Sequence, residues 1–182
     1  MRLFGGRGGC SIGNIHSDLS PSIVINTIRS KGKNIVDSKA TVQALMDSVQ
    51  KGDFEQAKSL LSDDFQFSGA TPEPINREGW LGMSASLKAA FPDLDYHFHV
   101  DDADGDVVKI SAQLKGTHSG DLDMTSMNMG VIPATNKSFA NPLEHGKVTV
   151  KGDKIVSWVV EPTEGGGVMG ILGQLGIKLP TM

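Results

Sequence analysis

The sequence predicts a single α+β domain preceded by a leader of 37 residues. Three observations carry that reading. Apolar residues recur at helical spacing from Val42 to Ala90, the period drops to two after Pro92, and a last apolar stripe of helical period closes the chain. With 182 residues there is room for one well-buried core and not for two.

Ser38 is placed to cap a first helix, in which Val42, Leu45, Met46 and Val49 form one face and Gly52 is the stop. Asp53 with Gln56 three residues on resembles a capping box and opens a second helix, with Phe54, Ala57, Leu60 and Leu61 inward. Ser62-Asp63-Asp64 is expected to end it, and Phe65-Gln66-Phe67 to form a short strand. The two prolines between Ala70 and Pro74 make a loop. A third helix follows from about Asn76 to Phe91, carrying Trp80, Met83, Leu87 and Ala90 on one side, until Pro92 forbids its continuation.

Beyond Pro92 the chain reads as strands. A three-residue Ala103-Asp104-Gly105 loop pairs Val100 with Val108, Phe98 with Ile110 and Tyr96 with Ala112, which makes one face wholly apolar. Asp95, His97 and His99 then share the polar face. Spacing by twos from Leu114 reaches His118, so its imidazole is expected on the core side.

The second hairpin turns at Gly152-Asp153, with glycine at the first central position as a type II′ turn requires. Counting outward pairs Val150 with Ile155, Val148 with Ser157, Gly146 with Val159 and Glu144 with Glu161. His145, Lys147, Thr149, Val156, Trp158 and Val160 take the other face. One bulge in either strand would exchange the faces beyond it. After Gly165-Gly166-Gly167, Val168, Ile171, Leu172 and Leu175 form a short lid helix that ends at Gly176.

A formal charge of −4 lacks the basic footprint of a nucleic-acid binder, and no apolar run is long enough to span a bilayer. The one cysteine, Cys10, has no internal partner for a disulfide. Up to Lys33 the leader carries Arg2, Arg7, Arg29, Lys31 and Lys33 against Asp18 alone. That is the composition of an organellar transit segment, or of a flexible leader with no address. The expected compartment is accordingly the cytoplasm, or an organelle if residues 1–37 are a transit segment.

Several stretches resemble a known family. FPDLDYHFHV at 91–100, GTHSG at 116–120, GVIPA at 130–134, GDKIVSW at 152–158 and the GGG…LGQLG tail occur in the order found in the SnoaL-like polyketide cyclases. These belong to the nuclear-transport-factor-2-like superfamily, with ketosteroid isomerase as a structural relative, and the likeness covers roughly Ser38 to Leu179. The resemblance implies a cone: three N-terminal helices packed on a strongly curved, mostly antiparallel sheet around a deep apolar pocket, usually in a homodimer. It also implies an intramolecular aldol ring closure without metal or cofactor, in which a carboxylate and a histidine move the protons. The family's histidine matches His118. Its acid, matched without gaps from Gly152, falls on Gly146, where a bulge would bring His145 or Glu144 into place.

His118 and Glu144 are therefore the candidate proton handlers, and Glu161, opposed to Glu144, is a further pocket carboxylate. Trp80, Tyr96, Phe98 and His145 are the other pocket candidates. Asp95, His97 and His99 read as a solvated face, and no metal site is expected. Val156, Trp158 and Val160, uncovered by any helix, are expected to form a homodimer interface. The functional reading is an acid–base lyase or isomerase for a small apolar or carbonyl-containing molecule. The alternatives are a non-catalytic binding domain for an apolar ligand, or a dimeric interaction module.

Overall fold

Asp37, rather than Ser38, caps the first helix. The structure is a computed structural model that describes residues 37–125 and 129–177. The leader read over residues 1–37 lies outside them apart from Asp37, whose carboxylate accepts the backbone N–H groups of Lys39 (3.1 Å) and Ala40 (3.4 Å). A carboxylate satisfies two orphan donors and its charge faces the positive end of the helix dipole, which Ser38 offers less well. Helix α1 spans Ser38–Lys51 and buries Val42, Leu45, Met46 and Val49. Asp53 accepts from Gln56 N–H at 3.0 Å and caps α2, Phe54–Leu60. Strand β1, Leu61–Ser68, begins at once. It is longer than the expected Phe65–Phe67, because Ser62-Asp63-Asp64 stays extended instead of coiling off the helix.

Strand β2 (Ile75–Asn76) leads into α3 (Arg77–Ala90), with Asn76 as its cap. Then come β3 (His99–Asp104), β4 (Val107–Ala112), β5 (Lys115–Thr117), β6 (Leu122–Met124), β7 (Gly130–Ile132) and β8 (Ser138–Ala140). The chain closes with β9 (Glu144–Lys151), β10 (Lys154–Val160) and α4 (Gly167–Leu175). The main sheet runs β2-β1-β10-β9-β4-β3, and β1 and β10 are parallel while every other pair is antiparallel. Register breaks in β1, β3 and β10 bend the sheet into the open cone that the helices fill.

Two of those breaks decide which side chains face the core. In the β3–β4 hairpin Asp104 pairs with Val107, leaving Gly105 and Asp106 as the turn, and the register slips again at Asp101. Val100 therefore faces Ile110, two residues from the expected Val108. A shift of two preserves the faces, so Tyr96 and Phe98 still point inward.

The β9–β10 hairpin keeps its turn, with Gly152 at φ +63°, and its first pair, Ile155 with Val150. Val156 is then an extra residue. Ser157 pairs with Thr149, Trp158 with Val148 and Val160 with Gly146. This is a shift of one, and it overturns the expected faces. Trp158 is 5% exposed and part of the core, while Val159 is turned outward at 46%. The apolar patch of Val156, Trp158 and Val160 from which a homodimer interface was expected is thus not formed.

Helix α4 buries Val168, Ile171, Leu172 and Leu175, as its stripe predicts. Each such burial is worth about 1.5–3 kcal/mol, against about 1 kcal/mol lost at each interior glycine, Gly170 and Gly173. Packing, not intrinsic propensity, holds this helix. No helix among the described residues is long and apolar enough to cross a membrane.

Candidate active site

A cavity opens between the sheet, α3 and α4. Its walls are Trp80 and Met83 of α3, Tyr96 and Phe98 ahead of and beside β3, Trp158 of β10 and Ile171 of α4. The unfilled space, counted out to the open mouth, is ≈ 660 Å³. That suits one small organic molecule. The rings interlock: Trp80 lies 5.6 Å from Trp158, Trp158 lies 5.8 Å from Phe98, and Tyr96 stacks on Phe98 at 5.0 Å and 7°.

Glu144 is the carboxylate at this cavity. It is 7% exposed, and its Oε1 accepts both the Asn141 side-chain amide at 3.0 Å and the backbone N–H of Gly167 at 2.8 Å. The two donors come from different elements, since Asn141 lies just ahead of β9 and Gly167 opens the lid helix. Asn141 also donates to Gly167 O at 3.1 Å and accepts from Gln174 of α4 at 3.1 Å, so the carboxylate and the lid share one network. Oε2 accepts no hydrogen bond from the described residues and is not among their sealed polar atoms. One oxygen is fixed, and the other is unengaged among the described residues.

Glu161 is not its partner. The bulge at Val156 carries it to the outer surface, where its backbone N–H donates to His145 O at 2.7 Å and its carboxylate pairs with Lys147 at 3.2 Å. His145 borders the cavity, but as a residue it is exposed, because alternation along β9 sends its ring outward.

Gly146 stands where the resemblance places the acid. A Cβ there would lie 2.9 Å from Val159 O and 3.3 Å from the Trp158 Nε1. The indole fills the room that a side chain at 146 would need, so the site's carboxylate comes from two residues earlier on the same strand face.

His118 is fully enclosed, as its parity predicts, but it does not border the cavity. Its ring lies 5.1 Å from Phe91, and Nδ1 accepts the backbone N–H of Thr135 at 3.3 Å with the Thr135 hydroxyl at 3.1 Å. An accepting Nδ1 assigns the proton to Nε2, which has no partner among the described residues. Burial lowers the His118 pKa from its ordinary 6.5, and the Asp121 charge opposes that only in part.

Two further polar atoms are sealed without a partner among the described residues, the Tyr96 hydroxyl and the Trp158 indole N–H. Leaving such a donor unpaired costs about 1–3 kcal/mol. Burial also pushes the Tyr96 phenol well above its usual range, so it stays protonated as a donor. Asp95, His97 and His99 lie at the surface, with Asp95 accepting the His97 N–H at 2.9 Å. No cluster of three metal-ligating side chains occurs among the described residues.

Residues 39–161 match the family described as SnoaL-like polyketide cyclase. The chain belongs to that family. Among solved structures, this SnoaL-like chain is similar to IdmH from Streptomyces antibioticus, a candidate polyketide cyclase. The two are 26% identical over 78% of this chain and 99% of IdmH, with a TM-score of 0.58. AclR from Streptomyces galilaeus, a candidate hydroxylase, is 19% identical over 81% of this chain and 85% of its own, with a TM-score of 0.60. An LEH-like epoxide hydrolase from M. tuberculosis is 15% identical over 76% and 92%, with a TM-score of 0.52. The last two likenesses are of fold alone, and their named chemistries differ, so the fold does not choose the reaction. No curated protein matches the chain significantly.

Asn141 and Trp158 are the site residues that the sequence reading missed. Asn141 carried no signal beyond a polar residue ahead of Pro142. Trp158 was assigned to the outer face because an inserted residue in a strand leaves no mark on its alternation.

Proposed function

We propose that this chain is an acid–base enzyme of the lyase or isomerase kind, acting on a small, largely apolar molecule that carries a carbonyl group. The supporting observation is the state of Glu144: one oxygen fixed by Asn141 and Gly167, the other unengaged at the edge of an aromatic cavity. In this reading Oε2 removes a proton from the carbon next to the carbonyl. The walls keep water from the enolate, and the same oxygen returns the proton to product or to the newly formed hydroxyl. The family membership and the likeness to IdmH support carbonyl chemistry of this type. His118 in this reading holds the Thr135 loop through Nδ1 and is not the proton donor, since it does not line the cavity.

The test is turnover of β-keto esters followed by NMR. Wild type is expected to accelerate loss of the α-hydrogen, and Glu144→Gln to reduce that rate by about a hundredfold or more while the protein stays folded. Equal rates in the two proteins would end the enzyme reading.

A second reading is favoured by one observation: His118 does not line the cavity and His145, which borders it, is exposed, so the lining among the described residues holds Glu144 and no buried imidazole. In that case the pocket binds an apolar ligand without changing it. Ligand affinity that survives Glu144→Gln, with no turnover by wild type, would establish it.

A further inference from the structure

We infer that α4 is a lid whose docking sets the Glu144 carboxylate, and that Gln174, near its C-terminal end, is the positioning residue that carries this setting through Asn141. Only the catalytic consequence rests on the reading of Glu144 as a base; the coupling itself is a property of the fold.

The hydrogen bonds that tie α4 to the rest of the described protein all go to one short segment, from Lys137 to Glu144. Their direction is fixed from both ends. The backbone N–H of Ala140 can only donate, and it meets Gln174 Oε1 at 3.0 Å. Gln174 therefore turns Nε2 to Asn141 Oδ1, at 3.1 Å. Asn141 in turn presents its NH2 to Glu144 Oε1 at 3.0 Å and to Gly167 O at 3.1 Å. The second donor to Oε1 is the Gly167 N–H of α4 itself. Both bonds that hold the carboxylate thus depend on the helix, one directly and one through Gln174. The backbone of Asn141 is anchored elsewhere, donating to Leu114 O at 2.8 Å, so its side chain alone bridges lid and carboxylate.

Undocked, α4 does not keep its shape. It has nine residues, three of them glycine, and a helix that short is marginal in water even when rich in alanine. Left-handed glycines bound it, Gly165 at φ +73° and Gly176 at φ +78°. Opening of the lid is accordingly a local unfolding of residues 166–176. It removes both donors from Oε1 and takes Val168 and Ile171 out of the cavity wall.

The test is amide hydrogen exchange on the full chain, read by mass spectrometry, and it needs no ligand. Peptides from α4 are expected to exchange through a local opening, ahead of those from α1 and β9. Glu144→Gln, which replaces a charged acceptor by a neutral one, is expected to raise the α4 opening constant about tenfold, and Gln174→Leu about fivefold. Because Gln174 acts through Asn141 on Glu144, the double variant is expected to open about tenfold more than wild type, not the roughly fiftyfold of independent effects. A merely structural role for Gln174 would give that product. With β-keto esters, Gln174→Leu is expected to lower kcat several-fold and leave KM nearly unchanged. Exchange of α4 only through global unfolding, multiplied effects in the double variant, or a wild-type kcat in Gln174→Leu would each overturn the inference. Coupled exchange in a protein without turnover leaves the inference standing and ends the enzyme reading. Turnover with multiplied effects does the reverse.

Discussion

Asn141 donates its side-chain amide to Glu144 Oε1 at 3.0 Å, and through Gln174 the same residue is tied to the lid helix. Removing that donor leaves a buried carboxylate oxygen with one bond where it had two. Asn141→Leu is expected to cost about 1.5–3 kcal/mol of stability, the range for a hydrogen bond to a charged group, read from urea denaturation. Gln174→Leu, which spares the carboxylate, is expected to cost about 1 kcal/mol or less. Equal losses in the two variants would show that Glu144 gains nothing particular from Asn141.

Gly146 is needed for its lack of a side chain. Its φ is unremarkable, but a Cβ would press on Val159 O at 2.9 Å and on the Trp158 ring. Gly146→Ala is expected to destabilise the protein by about 1–3 kcal/mol and to perturb Trp158 fluorescence. Gly173→Ala, where a Cβ meets nothing within 4 Å, is the control, and it is expected to stabilise α4 slightly. A neutral Gly146→Ala would mean that the indole moves aside freely.

His118 makes a pH signature. Its folded pKa lies below 6.5, so as pH falls through 6.5 the unfolded chain takes up a proton that the folded chain refuses. Stability is therefore expected to fall from pH 6.5 downward, until the lower folded pKa is passed. The lowered carboxylates, among them Asp93 held by the Thr117 N–H, lose their contributions only below their unfolded values near 4. Denaturation midpoints between pH 8 and 5 should slope in wild type and run flatter in His118→Gln. Parallel slopes would remove His118 as the cause.

The bulge at Val156 is testable by deletion. Without that residue β10 would pair regularly with β9, and Trp158 would turn to the surface. The deletion variant is expected to show red-shifted tryptophan emission and a loss of cavity binding. Emission unchanged from wild type would mean that a neighbouring residue takes over as the bulge.

What was legible in the sequence is local. The stripe Val42-Leu45-Met46-Val49, the cap at Asp53, the turn at Gly152 and the α4 stripe all emerge where expected, because each is set by residues within a few positions of one another. The Tyr96–Phe98 face survives even a misplaced register, since a shift of two leaves alternation intact. The Glu144–Glu161 pair does not survive, because a shift of one reverses every side chain beyond it. Asn141 was invisible for a related reason: its amide meets Glu144 three residues on and Gln174 more than thirty residues on, and only folding joins them.

By itself the sequence determined the helices, the two hairpins and a buried histidine at 118, which follow from spacing and neighbouring residues, and the family, which follows from the resemblance of its motifs. Tertiary structure decided that Trp158 lines the cavity, that Glu144 faces Asn141 and not Glu161, and that His118 lies away from the lumen. The reason is geometric: alternation fixes a face only up to the next inserted residue, and where the insertion falls is chosen by how β1, β9 and the core close around β10.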